Sequence, residues 1–577
     1  MNEVIRDLFA PWWQHVVYVI TFTVVVLVSA TPTALGAVRG IQRFASRPFA
    51  AEGVVFLVAL ILGVIPPLLG WRKPPTFHDE FAYLFQAETF AHGRLANDTP
   101  HDADHFQTFH LMIRPSFASK FPPGQAISMA VGMMLGSPRV GTIGAVAVAC
   151  AATCWAARAV LPARWALLAG LLAAVEPLVL SWGQTFWGGG VAMIGGAIFC
   201  GAIFRLERTT DQRIALHGAL VAAGLAILAN SRPFEGVLLA LPVGTWLIVR
   251  LARSGRLRTV TSRAAPAAAA VLVPVFAWMG YYNYRVTGSP LRLPYAVHSK
   301  QYMVAPLFWW QGENEPTAPL IPAHLRSFHV GHERIEYDAQ HTLGGFLAAA
   351  GMKLYRLVHD YLWGVLPALP LVLGAVTMLK GGPLVPRHWR RTALLAVGTI
   401  AFMIVAHFCC TPWLRMQYFA PAAPLLFVLL ATCTAAVSRW RVLGGRPIAG
   451  ALALAALLTW GSVALARARL DAERAAGEPE LARAKLIEQI ERVPGNHLMF
   501  VYYADGTQQL YEWVHNPPDI DSQRVVWAHL LNPERNTALM SHELDRSVWL
   551  LVVNNRNVEF KPLVMRNAAM TTRPAGR

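Results

Sequence analysis

The chain has 577 residues, of which 55% are hydrophobic and 14% charged, against about 25% charged in a typical soluble domain. With a mean hydropathy of +0.40, that balance excludes a soluble globular body, and it excludes a disordered or fibrous chain. The net charge of +17 would suggest nucleic acid in a soluble protein, but the cations are placed as membrane topology signals, so no nucleic-acid partner is expected.

Apolar blocks of about 20 residues, enough to cross a bilayer core of about 30 Å, recur along the chain. The pattern predicts about twelve spans, at 16–36, 51–70, 138–158, 165–182, 188–206, 215–230, 235–250, 265–283, 362–380, 392–410, 419–437 and 447–466. Alternate short loops carry Arg39, Arg43 and Arg47; Arg158 and Arg164; Arg205, Arg208 and Arg213; Arg250, Arg253, Arg256, Arg258 and Arg263; Lys380, Arg387, Arg390 and Arg391; and Arg439, Arg441 and Arg446. The intervening short loops carry little beyond Arg232 and Arg415. By the positive-inside rule the arginine-rich loops are cytoplasmic. The amino terminus, two large loops (71–137 and 284–361) and the tail then lie outside. All but three of the 19 histidines (His217, His388 and His407) fall on that outer side, so soluble chemistry is expected there. All six cysteines lie in or at the ends of apolar blocks, which argues against a disulfide framework or a zinc ribbon. The first block lacks a basic leader and a cleavage site, so no cleavable signal peptide is expected.

The first outer loop, 71–137, is aromatic-rich and too polar for a mere connector. Within it, FAYLFQAETFAHG predicts an amphipathic helix lying on the membrane surface, and QAISMAVGMML a second. Asp79 and Glu80 are adjacent carboxylates just beyond the second span. Neighbours on a helix point different ways, so they are expected to have different jobs. A partly desolvated carboxylate is a better base; a helix N-cap at Asp79 is the structural alternative. Lys120 stands in SKFPPGQ, where two prolines stiffen the chain and a glycine allows a tight turn. A cation so held suits a lipid phosphate, and simple snorkelling is the plainer role.

Further along, Glu176 falls inside a span beside Pro177, and a carboxylate there needs a partner or a cavity. Arg232 and Glu235, Gln184 and Trp187, and Arg415 stand at outer helix ends. Convergence of these on one outer cavity would grip a phosphate, for which the guanidinium fork is suited. The second outer loop, 284–361, holds His298, Lys300, Tyr302, Trp309 and Trp310. The sets His324, His329, His332 and His101, Asp102, Asp104, His105, His110 have the chemistry of metal ligands, but no firm spacing pattern. From 467 a charged helical stretch (470–492) precedes LMFVYY, VVWAHLL and VWLLVV, which read as buried strands. TQQLYEWV and PERNTALMSHEL between them read as helices, the latter capped by Asn532. That order predicts a small C-terminal extracytoplasmic α/β domain with a parallel sheet, over 467–577, after a transmembrane domain over 1–466.

HDEFAYLFQAETFAHGRL, followed later in the same loop by KFPPG opening a helix, resembles the C-type (GT-C) membrane glycosyltransferases. It looks most like the branch of protein O-mannosyltransferases and the lipid A aminoarabinose transferase. That branch has an Asp-Glu pair, an aromatic three residues on, and Lys-Pro-Pro; here these are Asp79, Glu80, Tyr83 and Lys120 with Pro122 and Pro123. The chain departs from it in Phe121, between lysine and prolines, and in Ser119, where relatives often carry an acid. NYRVTGSPL (283–291) also fits these families.

The resemblance implies a GT-C-like fold and an integral membrane glycosyltransferase, hexosyl or pentosyl, that takes its sugar from a polyprenyl-phosphate donor. The acceptor would be an extracytoplasmic glycolipid, polysaccharide or protein, and the site would lie on the periplasmic face of a bacterial cytoplasmic membrane. Asp79 would deprotonate the acceptor, Glu80 would bind acceptor or metal, and Lys120, Arg415 and Arg232 would hold the donor phosphate. His78, Tyr83, Gln184, Trp187, His298, Lys300 and Tyr302 would line the substrate groove. No cofactor is fixed; a divalent metal ion is the one candidate. A transporter or flippase of a lipid-linked sugar needs the same cations but no base. A non-catalytic assembly protein docking through its tail is a third reading.

Overall fold

The computed structural model describes residues 13–29, 31–47, 49–71, 74–75, 77–210, 212–362, 369–380, 385–411, 415–442, 446–475, 479–504, 512–554, 557–566 and 569–572. Among them, 7 helices are long and apolar enough to cross a membrane: Ala50–Leu68, Pro138–Ala157, Pro233–Arg253, Leu257–Thr287, Arg387–Phe408, Met416–Ala436 and Ala449–Glu473. Ala163–Val175 and Pro177–Gln184 add an eighth if taken as one span bent by 52°. The shorter apolar helices His15–Val28, Gly190–Leu206, Arg213–Ala229 and Leu369–Leu379 fall on the remaining apolar blocks. The protein is a polytopic helical membrane protein. Small residues let the helices close up: a Cβ on Gly196 would stand 1.9 Å from the Pro421 carbonyl oxygen, an approach that only glycine permits.

Several boundaries differ from the sequence reading. The block 16–36 is two helices, Trp13–Val28 and Pro32–Ala45, because Pro32 cannot continue the first and is suited to open the second. The span expected at 265–283 runs over Leu257–Thr287, about 46 Å at 1.5 Å per residue. Residues 363–368 of the block 362–380 lie outside the described residues. Glu176 breaks its span rather than lying within a continuous helix. Its Oε2 accepts the Val179 N–H at 2.7 Å and caps Pro177–Gln184, with Pro177 at the first position.

The helix His78–Ala91 does not lie on the membrane surface as expected; most of its residues are buried. Phe85, Phe106 and Phe117 share one apolar cluster with Leu498, Phe500 and Val526 of the tail, so the C-terminal sheet covers the helix. Gly124–Met134 keeps an amphipathic character, with Ile127, Val131 and Met134 exposed. The sheet is mixed rather than parallel throughout. Its order is Val525–His529, Asn496–Tyr503, Arg546–Asn554, Asn557–Arg566, Ala569–Thr572. The first three strands are parallel and the last two run antiparallel. The helix Pro533–His542 is capped by Asn532, whose side chain accepts the Arg535 N–H at 3.0 Å. Of TQQLYEWV, residues 507–511 lie outside the described residues, and 512–514 are not helical. The charged stretch is two helices, Ala449–Ala475 continuing the last span and Pro479–Glu491.

Candidate active site

The first turn of His78–Ala91 separates its two carboxylates. Phe77 is the N-cap residue, so Asp79 is not the cap. Glu80 does that work. One carboxylate oxygen faces the Phe77 N–H at 3.4 Å and the other accepts the Phe186 N–H at 2.9 Å, so the buried Glu80 ties the helix start to the loop before Gly190–Leu206. Asp79 is left with a 35% exposed side chain. Among the described residues its carboxylate accepts no hydrogen bond. His78 Nδ1 lies 3.5 Å and His110 Nε2 3.7 Å from its oxygens.

Those two imidazoles touch each other, Nδ1 of His78 to Nε2 of His110 at 2.6 Å. His78 lies against the Phe109 ring at 4.6 Å between centroids and edge-on to Phe328 at 5.2 Å. Burial holds His78 down at about 4, against the pull of the Asp79 charge. Burial likewise drives His110 well below the usual histidine value, with the Lys120 charge adding to it. His110 has φ of 63°, a left-handed conformation that stores about 1–3 kcal/mol in a non-glycine residue. The Lys120 N–H donates to its carbonyl at 3.0 Å, so His110 and Lys120 are braced together.

Lys120 is buried, its ammonium 5.2 Å from the centre of the Tyr295 ring. Burial lowers its pKa, while the carboxylates of Glu333 and Asp79 resist. The departure at Phe121 has a structural use: its ring stacks on Tyr83 at 4.4 Å and 11°, welding the lysine segment to the Asp79 helix. Gly124 follows because its N–H meets the Asn230 carbonyl at 2.6 Å, and a Cβ there would stand 2.7 Å from the same oxygen.

The helix ends expected on the outer side converge as far as their cations are concerned. Arg232 lies over the Tyr418 ring at 4.8 Å and donates to the Trp187 carbonyl at 3.1 Å; Tyr83 and Asp79 lie within reach of its charge. Arg415 lies over Trp187 at 5.0 Å and Phe77 at 5.4 Å, with its charge felt at His78. Tyr83 is pushed up to about 12 by burial, with Arg232 pulling the other way. Arg232 and Glu235 feel each other's charge, but no ion pair joins them among the described residues.

Not every expected groove residue is here. Gln184 is a helix tie, its amide donating to the Gly63 carbonyl at 2.7 Å. Lys300 is exposed, and its carbonyl accepts the Thr317 N–H. Tyr302 is buried behind His298, ring centroids 5.1 Å apart. His298 does approach, 6.0 Å from His110 and 6.0 Å from His329 between centroids, and His329 contacts Glu333 at 2.8 Å. Tyr295, Tyr418, Glu333 and Phe77 were missed by the sequence reading. The first two stand beside helix-end motifs; Glu333 has no sequence signal.

The histidine sets read from the sequence are regrouped. Asp102 and Asp104 pair with His542 and Arg535 of the C-terminal helix, and His105 contacts the His529 carbonyl at 2.8 Å. His324 stacks on Tyr503 at 4.0 Å and, with Glu512 and His529, makes a buried group. The Glu512 carboxylate there accepts from the Thr108 hydroxyl (2.7 Å), the Tyr503 hydroxyl (2.9 Å) and the Val514 N–H (2.8 Å). This node fastens both large loops, 71–137 and 284–361, to the sheet.

No family model matches the sequence, and no curated protein matches it. Among solved structures, its neighbours include ArnT from Cupriavidus metallidurans bound to undecaprenyl phosphate, at 14% identity and a TM-score of 0.48 over 88% of this chain and 93% of that one. They include the oligosaccharyltransferase of Archaeoglobus fulgidus with zinc and sulfate, at 12% and 0.48 over 87% and 67%. The oligosaccharyltransferase AglB of the same organism, with an inhibitory peptide and a dolichol-phosphate, matches at 12% and 0.44 over 87% and 69%.

Proposed function

We propose that the protein is an integral membrane glycosyltransferase that moves a sugar from a polyprenyl-phosphate carrier to a hydroxyl of an extracytoplasmic acceptor. The observation that carries this reading is Asp79: a half-exposed carboxylate with no hydrogen bond, among the described residues, within electrostatic reach of Lys120 and Arg232. A base needs its lone pairs unspent, and a departing phosphate needs cations. A carrier with a long apolar tail explains why such a site is built on a bundle of membrane helices.

In the proposed step Asp79 takes the acceptor proton. The acceptor oxygen bonds to the anomeric carbon as the bond from that carbon to the phosphate oxygen breaks, with inversion. The electron pair leaves on the phosphate, where Lys120, Arg415 and Arg232 meet the growing charge. Tyr83, Trp187, His78 and His298 line the groove, and Glu80 holds the helix start that aims Asp79. We further assign twelve crossings, a bacterial cytoplasmic membrane, an outward-facing site opposite the arginine-rich loops, and a C-terminal α/β domain that closes the groove.

The test is purified protein in nanodiscs with radiolabelled polyprenyl-phosphate sugar and candidate acceptors: glycolipid, polysaccharide and protein. Label on an acceptor together with free polyprenyl phosphate is expected. Movement of intact donor between leaflets with no free polyprenyl phosphate would identify a flippase instead.

A further inference from the structure

We infer that His78, Asp79 and His110 form a binding site for one divalent first-row transition-metal ion. The two ring nitrogens and the carboxylate lie within 4.8 Å of one another, with separations of 2.6, 3.5 and 3.7 Å. Metal–ligand bonds of about 2.0–2.2 Å place donor atoms about 3.3 Å apart in a tetrahedral shell. The observed triangle brackets that value, so a small opening of the contact between the imidazoles admits an ion. Two imidazoles and one carboxylate suit such ions and leave positions open for another ligand.

The proton balance also closes. In the contact at 2.6 Å one nitrogen carries the proton and the other accepts it. Among the described residues His78 Nε2 and His110 Nδ1 are buried and have no hydrogen-bond partner, so the protonated ring can move its proton to its own other nitrogen. Both facing lone pairs are then free, and no proton is released. Phe109 and Phe328 fix the plane of His78. Lys120 and Arg415 oppose a cation here, and the carboxylates of Asp79, Glu333 and Glu512 favour one.

The group His324, Glu512, His529 is the competing site. It is set aside because Glu512 already accepts three hydrogen bonds, whereas Asp79 accepts none among the described residues.

Ion binding does not depend on the transferase reading. Only its use does: the acceptor hydroxyl, as a further ligand, would be acidified beside the free oxygen of Asp79. The experiment strips the full-length protein in nanodiscs with a chelator, then titrates it with Co²⁺ and Zn²⁺. Metal content and visible Co²⁺ absorption are read. One equivalent is expected in wild type. His110→Asn keeps a residue that tolerates the left-handed backbone, and monodisperse behaviour confirms its folding. It is expected to weaken binding by more than the roughly 10- to 100-fold that loss of an outer partner brings. His529→Gln is expected to bind like wild type. No bound metal in wild type, equal binding by His110→Asn, or loss in His529→Gln alone overturns the assignment. Label transfer on the same preparations reports separately: protein that binds the ion and transfers nothing retains the site and loses the function.

Discussion

The Phe186 N–H donates to Glu80 Oε1 at 2.9 Å, and that bond divides the labour between two adjacent carboxylates. Glu80 is consumed in holding a helix start against a loop, while Asp79 keeps its oxygens for the proposed proton transfer. Asp79→Asn removes a charge from a partly exposed group that makes no hydrogen bond among the described residues. It should leave the melting temperature within about 2 °C and lower transfer by about a hundred- to ten-thousand-fold, the range for loss of a general base. Glu80→Ala should behave oppositely on stability. The buried Phe186 N–H loses its acceptor, costing about 1–3 kcal/mol, and thermal unfolding in nanodiscs should show it. Equal stability of the two variants would undo this division.

In the proposed reaction Lys120 sets an alkaline limit. Burial lowers its pKa from the usual lysine value, and only the charged form stabilises a leaving phosphate. Transfer should therefore fall as pH rises through that lowered pKa, earlier than an ordinary lysine would permit. Lys120→Arg should move the falling limb upward, since guanidinium stays charged. Lys120→Met should lower the rate at neutral pH by about a hundred- to thousand-fold, as for loss of one electrostatic donor. A pH–rate profile of the three proteins is the measurement, and an unchanged alkaline limb in Lys120→Arg counts against this role.

Acid should loosen the part of the molecule that holds the candidate site. Burial holds His515 and His529 at about 3 and His78 at about 4. The folded protein thus binds fewer protons than the unfolded chain once pH falls below about 6.5. The stability is complete above that value and declines as pH drops toward the folded values, by up to about 1.4 kcal/mol per pH unit for each histidine. Burial alone would raise Glu512, but the His324 imidazole, with His529 and Thr108, outweighs it and holds the carboxyl at about 2. Its contribution is present above about 4.5 and lost as pH falls through 2. The melting temperature should fall steadily from pH 7 to 5, and His515→Leu should flatten that slope. A flat profile in wild type would contradict the buried neutral histidines.

Legibility followed the range of the interaction. Apolar blocks and alternate arginines were readable because the bilayer imposes a length and a charge rule on each segment separately. Lys120 and Asp79, which the fold brings within electrostatic reach of each other, stand in short motifs on one loop. What depended on distant segments was not. His78–Ala91 resembles an interfacial helix until the sheet that buries Phe85 is present. Gln184 has the look of a groove residue, yet its amide is satisfied by Gly63, more than a hundred positions away. Adjacent histidines in sequence suggested ligand sets, while the chain pairs His78 with His110 and His324 with His529. The N-cap alternative for Asp79 was two positions too far along, because the helix opens at His78 and Phe77 is its cap.

Gly124 tests whether the lysine segment is positioned from across the bundle. Its N–H is bonded to the Asn230 carbonyl at 2.6 Å, two residues before Arg232, so one backbone contact sets the spacing of the two cations proposed to hold the phosphate. In Gly124→Ala the new Cβ would meet that oxygen at 2.7 Å, and backbone cannot swing aside as a flexible side chain does. The two segments must part, at about 1–3 kcal/mol for an overpacked contact. The expected outcome is a melting temperature lowered by several degrees, with transfer reduced beyond what the lost stability explains, because Lys120 and Arg232 move apart. Ile127→Ala, on an exposed position of the same helix, should leave both readouts near wild type. If the two variants behave alike, the contact with Asn230 does not position Lys120.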